Sequence, residues 1–228
     1  MVTANGCKGM HCALMVQFPM TTNQHMPTAA ATSSIGVILA GGKSSRMGTD
    51  KAALRIENES LLLRANRTLQ DASCNKVILS GHARSDWPYD TIPDLFPGAG
   101  PVGGIVSTLS WADENITPDS CLLFIPIDAP LLSSALIVSM LNAAQHGDGC
   151  YIEGSPLPVA LRTTESVLER CKLVSLDLQA NRSWSVRRFT EPLCLTPLDV
   201  SEAIRPQLIN VNTPAQWEDL RRELENRT

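Results

Sequence analysis

Residues 36–51 read Gly36-Val-Ile-Leu-Ala-Gly-Gly-Lys-Ser-Ser-Arg-Met-Gly-Thr-Asp-Lys51. An unbroken aliphatic run, Ile35 to Ala40, passes straight into a turn that holds Gly41, Gly42 and Gly48, the hydroxyls of Ser44 and Ser45, and three cations, Lys43, Arg46 and Lys51. Apolar runs without alternation belong to strands covered on both faces. Glycines let backbone N–H groups converge on an anion where a Cβ would block approach, and the cations neutralise it. At the carboxyl end of a first strand, this predicts a polyphosphate cradle that fits a nucleoside triphosphate. It is not a Walker A loop, because Gly36 and Gly42 stand one residue too far apart and Lys43 precedes a proper phosphate turn.

Outward from this stretch, short aliphatic runs alternate with helical patterns. The spacing predicts a helix over Ser60–Asp71, a strand over Lys76–Ser80, a helix over Gly103–Ala112, a strand over Cys121–Ile127 and a helix over Ser133–Gln145 capped by Ser133. Beyond Gly149 the pattern loosens. Pro156–Arg162 is compatible with a strand, Thr164–Cys171 with a helix and Leu208–Val211 with a last strand. Pro214 then suits the first turn of a helix over Ala215–Glu225. Strands alternating with helices give an α/β fold: a Rossmann-like, doubly wound, mostly parallel sheet in three α/β/α layers.

The chain has 228 residues, 43% apolar and 18% charged, enough to bury roughly 70% of the unfolded surface in one domain. Residues 34–228 are expected to form it. Residues 1–33, poor in charge and without an apolar period, are expected to be a flexible extension. A secretory signal is disfavoured there, since the apolar stretch Cys12–Phe18 is short and interrupted by Gln17 and followed by Pro19. The formal net charge of -4 lacks the footprint of a nucleic-acid or anionic-membrane binder. No run is long enough to span a bilayer. Seven scattered cysteines without a C-x-x-C pair read as reduced thiols of a cytoplasmic protein, and the four histidines share no ligand spacing.

Asp128 ends the apolar run Cys121–Ile127, which places a carboxylate at the carboxyl edge of a central strand, where open α/β sheets bind ligands. There it can hold Mg²⁺ while substrate phosphates complete the shell. A helix-capping role is weaker, because Ser133 serves that purpose better. Asp94, after Pro93, reads on its own as a turn former, and Ser80 as a solvated strand end. Asn210 and Asn212 flank Val211, so on a strand both amides share one face. On spacing alone, a turn-forming pair before Thr213-Pro214 is the better reading. Gly98-Ala-Gly-Pro-Val-Gly103 matches G-x-G-x-x-G, which would make the protein a dinucleotide oxidoreductase, but Pro93 and Pro97 leave no good strand entering the turn.

The stretch Leu39-Ala-Gly-Gly-x-Ser-x-Arg-Met-Gly-x-Asp-Lys51 resembles the signature of Rossmann-like nucleotidyltransferases, and specifically of the molybdenum cofactor guanylyltransferases. Asp94 followed by Gly100-Pro-Val-Gly-Gly-Ile105, Pro126-Ile-Asp-Ala-Pro130 and Asn210-Val-Asn-Thr-Pro214 agree in order, so the resemblance covers nearly all of residues 35–222. It implies transfer of GMP from GTP to the terminal phosphate of molybdenum-bearing molybdopterin, giving the guanine dinucleotide cofactor and pyrophosphate. It implies nucleotide contacts at Leu39, Ala40, Gly41, Gly42, Lys51, Ser80, Asp94 and Asp128, although relatives carry asparagine where Ser80 stands. Arg46, Lys51 and Asp128 are the implied catalytic residues, with Mg²⁺ on Asp128 and pterin-substrate contacts at Asn210 and Asn212. Arg182, Arg187 and Arg188 fall where relatives carry a basic stretch. A molybdenum-insertion enzyme and acceptor molybdoenzymes are the partners it brings into view.

The guanylyl branch has Leu-Ala-Gly-Gly, as at Leu39–Gly42, and the cytidylyl branch Leu-Ala-Ala-Gly. The missing methyl at Gly41 leaves room for a purine, which favours GTP over CTP. The other readings are a related transferase using CTP or a sugar phosphate, and a GTP-binding accessory protein without turnover.

Overall fold

A computed structural model describes residues 33–41, 50–56 and 58–225, all of which belong to one compact unit. The proposed extension, apart from Ser33, and the turn residues Gly42, Lys43, Ser44, Ser45, Arg46 and Gly48 lie outside the described residues.

The sheet forms where the aliphatic runs stand. Its strands are β1 (Ser34–Leu39), β4 (Lys76–Ser80), β5 (Thr91–Ile92), β6 (Cys121–Pro126), β7 (Gly149–Ile152), β8 (Val159–Arg162) and β9 (Leu195–Leu198), in the order β5-β4-β1-β6-β8-β7-β9. A separate two-stranded ribbon pairs β2 (Arg55–Ile56) with β3 (Glu59–Ser60). β5, β4, β1 and β6 run parallel, β8 opposes both β6 and β7, and β9 is again parallel to β7. The carboxyl ends of β5, β4, β1, β6, β7 and β9 therefore share one edge.

Successive residues of β1 and β6 feed opposite cores, as a strand's alternation demands. Ile38, Leu123 and Ile125 face the layer of α1 (Leu61–Asp71), α3 (Ser134–Ala143) and α6 (Pro214–Glu225). Val37, Leu39, Leu122 and Phe124 face α2 (Pro101–Asn115), α4 (Glu165–Gln179) and α5 (Val186–Thr190). The helices start where capping chemistry allows: Ser60, Ser133, Thr164 and Ser185 each accept an N–H three residues on. Gly36 lets α1 pack close on β1, since a Cβ there would lie 2.7 Å from Leu69 Cδ1.

The expected strand over Leu208–Val211 does not form. Arg205–Leu208 is a 3-10 turn, and Pro206 has no N–H to give a ladder. The edge position belongs instead to β9, where Pro197 is tolerated because an edge strand has a free side. β7, β9 and α5 were not expected, being only four or five residues long. α4 runs on to Gln179, well past Cys171, as buried Val174 and Leu178 continue the spacing of Val167 and Cys171. Two residues before Pro93 pair as β5, so the turn at Gly98 does have a short strand upstream. Among the described residues no helix is long and apolar enough to cross a membrane. The five described cysteines are free. Burial pushes the Cys74 and Cys171 thiols up to about 11 and those of Cys121 and Cys150 to about 12, which keeps them protonated.

Candidate active site

The shared carboxyl edge is where unpaired strand ends and loops meet. Asp128 stands just past β6. Lys51 opens a 3-10 turn, Lys51–Ala53, which Asp50 caps by accepting the Ala52 N–H at 3.0 Å. The other Asp50 oxygen pairs with Arg84, which ties the end of the glycine turn to the loop after β4.

These elements bring Lys51 Nζ to 2.7 Å from Asp128 Oδ2 and 2.8 Å from Asn212 Oδ1. The side chains of Lys51 and Asp128 are only 17% and 16% exposed, so water screens the pair little. Asn212 arrives because Val211, buried among α6 and β6 residues, donates its N–H to the Asp128 carbonyl at 2.8 Å. Asn212 thus reaches the site from an extended segment without a strand partner, and Asn210 is exposed beside it. The shared-face reasoning for the two asparagines therefore fails, although one of them does meet Lys51 and the carboxylate.

Asp94 forms a turn as its position after proline suggests, with Oδ1 accepting the Phe96 N–H at 2.9 Å. Its other oxygen points back: Oδ2 lies 3.5 Å from where a Cβ on Gly41 would stand. Ser107 Oγ steadies this turn, accepting the Leu95 N–H at 2.9 Å while donating to the Gly103 carbonyl at 2.7 Å. Gly100, at φ +68°, starts α2 immediately beyond, with Pro101 in the first turn. A Cβ on Gly103 would meet the Phe96 carbonyl at 2.9 Å and Asp94 Oδ1 at 3.1 Å. The glycines of this segment thus serve close packing of α2 on the Asp94 turn.

Two expected nucleotide contacts need correcting. Ser80 is 1% exposed and its hydroxyl donates to the Gly104 carbonyl at 3.3 Å, beneath α2, so it does not face the edge. Leu39 is a core side chain whose carbonyl accepts the Ile127 N–H, which leaves little of it for a ligand. Ala40 is half-buried and Gly41 exposed at the edge itself. Gly42 and Arg46 lie outside the described residues.

Among the described residues no three His, Cys, Asp or Glu side chains converge as a metal cage. Asp128 still fits a hard divalent ion of the magnesium type. Its Oδ1 has no partner among the described residues, and such ions are commonly held by one or two carboxylates with phosphate oxygens and water.

A cleft of about 1290 Å³ continues from α2's first turn along the same edge, under Tyr151–Pro156 and against Trp184, Arg187 and Leu193. The sequence reading missed it, since its walls come from the short elements. Trp184, its one tryptophan, has the guanidinium groups of Arg170 and Arg188 at 4.6 and 3.9 Å from its ring centre. Its indole N–H donates to Asp177 Oδ2 at 3.0 Å.

A mostly parallel α/β sheet with Lys51, Asp128 and Gly41 on its carboxyl edge is the architecture of a nucleotidyltransferase. Residues 36–195 match the family described as the MobA-like NTP transferase domain. A molybdenum cofactor guanylyltransferase of Xanthomonas euvesicatoria is 36% identical over 185 residues, covering 81% of this chain and 93% of its own. One of Sinorhizobium fredii is 34% identical over 204 residues, covering 80% and 88%. The solved structure of molybdopterin-guanine dinucleotide biosynthesis protein A from Archaeoglobus fulgidus shares the fold, with a TM-score of 0.65 at 16% identity over 84% of this chain and 99% of that one. The chain belongs to the MobA-like NTP transferase family.

Proposed function

We propose that this protein transfers GMP from GTP to the terminal phosphate of molybdopterin, in its molybdenum-loaded form, releasing pyrophosphate. The observation that carries the reading is the contact of Lys51 with both Asp128 and Asn212 on the edge that also holds Gly41 and Asp94. The guanylyltransferase names of the relatives support it.

The nucleophile in this reaction is a phosphate monoester, whose second pKa near ~6 leaves it ionised at neutral pH, so no general base is required. A phosphate oxygen attacks the α-phosphorus of GTP, a P–O bond forms, and the α–β anhydride bond breaks with its electrons leaving on pyrophosphate. The difficulty is the meeting of two anions, and catalysis rests on positioning and charge neutralisation. Lys51, with Arg46 from the glycine turn, holds the triphosphate. Asp94 and Gly41 border the base, and Asn212 borders the phosphates, with Asn210 beside it on the acceptor side. The long cleft past α2 receives the acceptor's ring system. Asp128 would hold Mg²⁺, which supplies Lewis-acid stabilisation of the phosphate oxygens when bound. In this reading the protein works in the cytoplasm, between a molybdenum-insertion enzyme and the molybdoenzymes that take the product, without nucleic acid or membrane.

Against the oxidoreductase reading, Asp128 is occupied by Lys51 at β6 and does not follow the strand next to a dinucleotide turn. The test is incubation of the protein with each nucleoside triphosphate, Mg²⁺ and molybdenum-loaded molybdopterin, with identification of the dinucleotide. The guanine dinucleotide is expected with GTP. No product, or equal initial velocities with GTP and CTP, overturns the reading.

A further inference from the structure

The segment Asn212-Thr-Pro-Ala-Gln216 starts α6 with a reciprocal cap. Thr213 Oγ1 accepts the Gln216 N–H at 3.2 Å, and Gln216 Oε1 accepts the Thr213 N–H at 3.1 Å. That much is a capping box. Gln216 Oε1 also accepts the N–H of Asn212, one residue before the cap, at the shorter distance of 2.8 Å. A helix end does not need this third bond. The residue before a cap commonly holds an apolar side chain stapled to the helix. Here the apolar anchors are Val211 and Trp217, 4% and 7% exposed, and the intervening residue sends an amide to Lys51.

The contacts close a ring. Gln216 Oε1 holds the Asn212 N–H, Asn212 Oδ1 holds Lys51 Nζ, Lys51 Nζ meets Asp128 Oδ2, and the Asp128 carbonyl holds the Val211 N–H. Three segments distant in sequence meet there. One link, from the Val211 N–H to the Asp128 carbonyl, is wholly backbone and self-positioning, whereas the reach of Asn212 toward Lys51 depends on the orientation of its own peptide unit. Gln216 is the side chain that fixes that unit.

We infer that Gln216 is a positioning residue, whose side-chain carbonyl sets Asn212 and, through it, the place where the Lys51 ammonium meets a nucleoside triphosphate. This rests on the reading of Lys51 as a triphosphate ligand. Gln216 itself touches neither Lys51 nor Asp128.

Thr213→Ala supplies the control, because it breaks the same cap but leaves Asn212 held. In the free protein, the side-chain amide resonances of Asn212 are expected to move to the values of a solvated asparagine in Gln216→Ala and to stay in place in Thr213→Ala. With GTP and Mg²⁺, Gln216→Ala is expected to weaken binding about tenfold, the loss of one well-placed contact. Thr213→Ala stays within about twofold, a surface-cap effect. Asn212→Ala and the Asn212→Ala/Gln216→Ala double variant should bind alike, since the second change acts only through the first. Gln216→Glu restores binding, as a carboxylate accepts both N–H groups. Gln216→Met repeats the test if alanine unfolds α6. Unmoved Asn212 resonances in Gln216→Ala, additive losses in the double variant, or equal losses in Gln216→Ala and Thr213→Ala overturn the inference. If wild type binds GTP but passes nothing to molybdopterin, the acceptor reading fails while these measurements still decide the role of Gln216.

Discussion

Lys51 stands 2.7 Å from Asp128, so the carboxylate proposed to hold a divalent ion is engaged by the protein's own cation before any ligand arrives. An ammonium on Oδ2 competes with a metal on Oδ1 for the same negative charge, and a triphosphate relieves the competition by drawing Lys51 to itself. Metal and nucleotide should therefore bind together. Lys51→Ala is expected to strengthen binding of Mn²⁺ alone about tenfold, a discounted share of the few kcal/mol such a pair can supply. Titration without nucleotide, followed by the relaxation of bulk water, checks this. An unchanged or weaker affinity in the variant contradicts the competition.

Asp128→Asn keeps the size of the side chain and leaves Lys51 an oxygen to meet. The residue lies beyond β6 at the edge, outside both cores. We expect pyrophosphate release to fall by about 10³-fold or more, the scale of losing a principal electrostatic group. The melting temperature should shift by no more than about 3 °C, as for an isosteric change outside the core that keeps an oxygen for Lys51. A large loss of melting temperature alongside the activity would make the residue structural.

Gly41 is exposed, and among the described residues a Cβ there would meet only Asp94 Oδ2, at an ordinary 3.5 Å. Nothing in its described surroundings demands glycine at this position, which directs the missing methyl toward a ligand. Gly41→Ala should leave the melting temperature within about 2 °C, because the residue needs no left-handed backbone. It should also lower kcat/KM for GTP about tenfold while sparing CTP, the scale of a clash with one methyl in a pocket. Equal effects on both nucleotides would remove Gly41 from base selection.

The parallel half of the sheet was legible because its longer strands are continuous aliphatic runs and two of its helices, α1 and α3, carry serine caps. Asp128 was legible for a related reason, since a carboxylate just past such a run is drawn to the sheet's carboxyl edge, and Lys51 was legible as a cation of the glycine-rich stretch that follows β1. In the second half β8 falls within the strand expected over Pro156–Arg162, whereas β7 and β9 resisted because they are four residues each and owe their strand state to pairing. Such pairings leave no local period to read. Ser80 misled because strand-end residues are normally solvated, whereas here the close approach of α2 at Gly104 covers it. Asn212 was expected at the site from the resemblance alone, because on spacing a turn-forming pair read better, and the Thr213-Pro-Ala-Gln216 spacing was the sequence signal for its actual setting just before a helix cap.

Gly103 allows α2 to touch the Phe96 carbonyl, a backbone atom that cannot swing aside. Gly103→Ala must move either α2 or the Asp94 turn by several tenths of an ångström. The expected cost is about 1–3 kcal/mol, as for overpacking elsewhere, read by chemical denaturation. Since Asp94 rides on the same turn, nucleotide affinity should fall as well. Full affinity at reduced stability would detach Asp94 from the nucleotide.

Asp148 anchors the second half of the sheet. It is 7% exposed and accepts hydrogen bonds from Thr164 Oγ1 at 2.6 Å, from the Cys194 N–H at 2.8 Å and from Ser166 Oγ. It thereby ties the start of α4 and the approach to β9 to the approach to β7. Burial alone pushes its carboxyl up, but the hydroxyls of Ser166 and Thr164, the Cys194 N–H and the charge of Arg162 outweigh that and hold it below the usual carboxylate range. A carboxyl whose folded pKa is depressed adds stability in full above its unfolded value, near ~4. That stability disappears as pH falls through the folded pKa. Asp148→Asn points an amide donor at groups that are themselves donors and should cost about 2–3 kcal/mol at neutral pH. Unfolding free energies of wild type and Asp148→Asn, measured from pH 7 down to pH 3, should differ by a constant amount at first. The gap should then begin to close below about pH 4, where the carboxyl of the unfolded chain takes up its proton while the folded one is still ionised. A gap that persists or widens in acid would mean that the ionised form is not what ties α4 and β9 together.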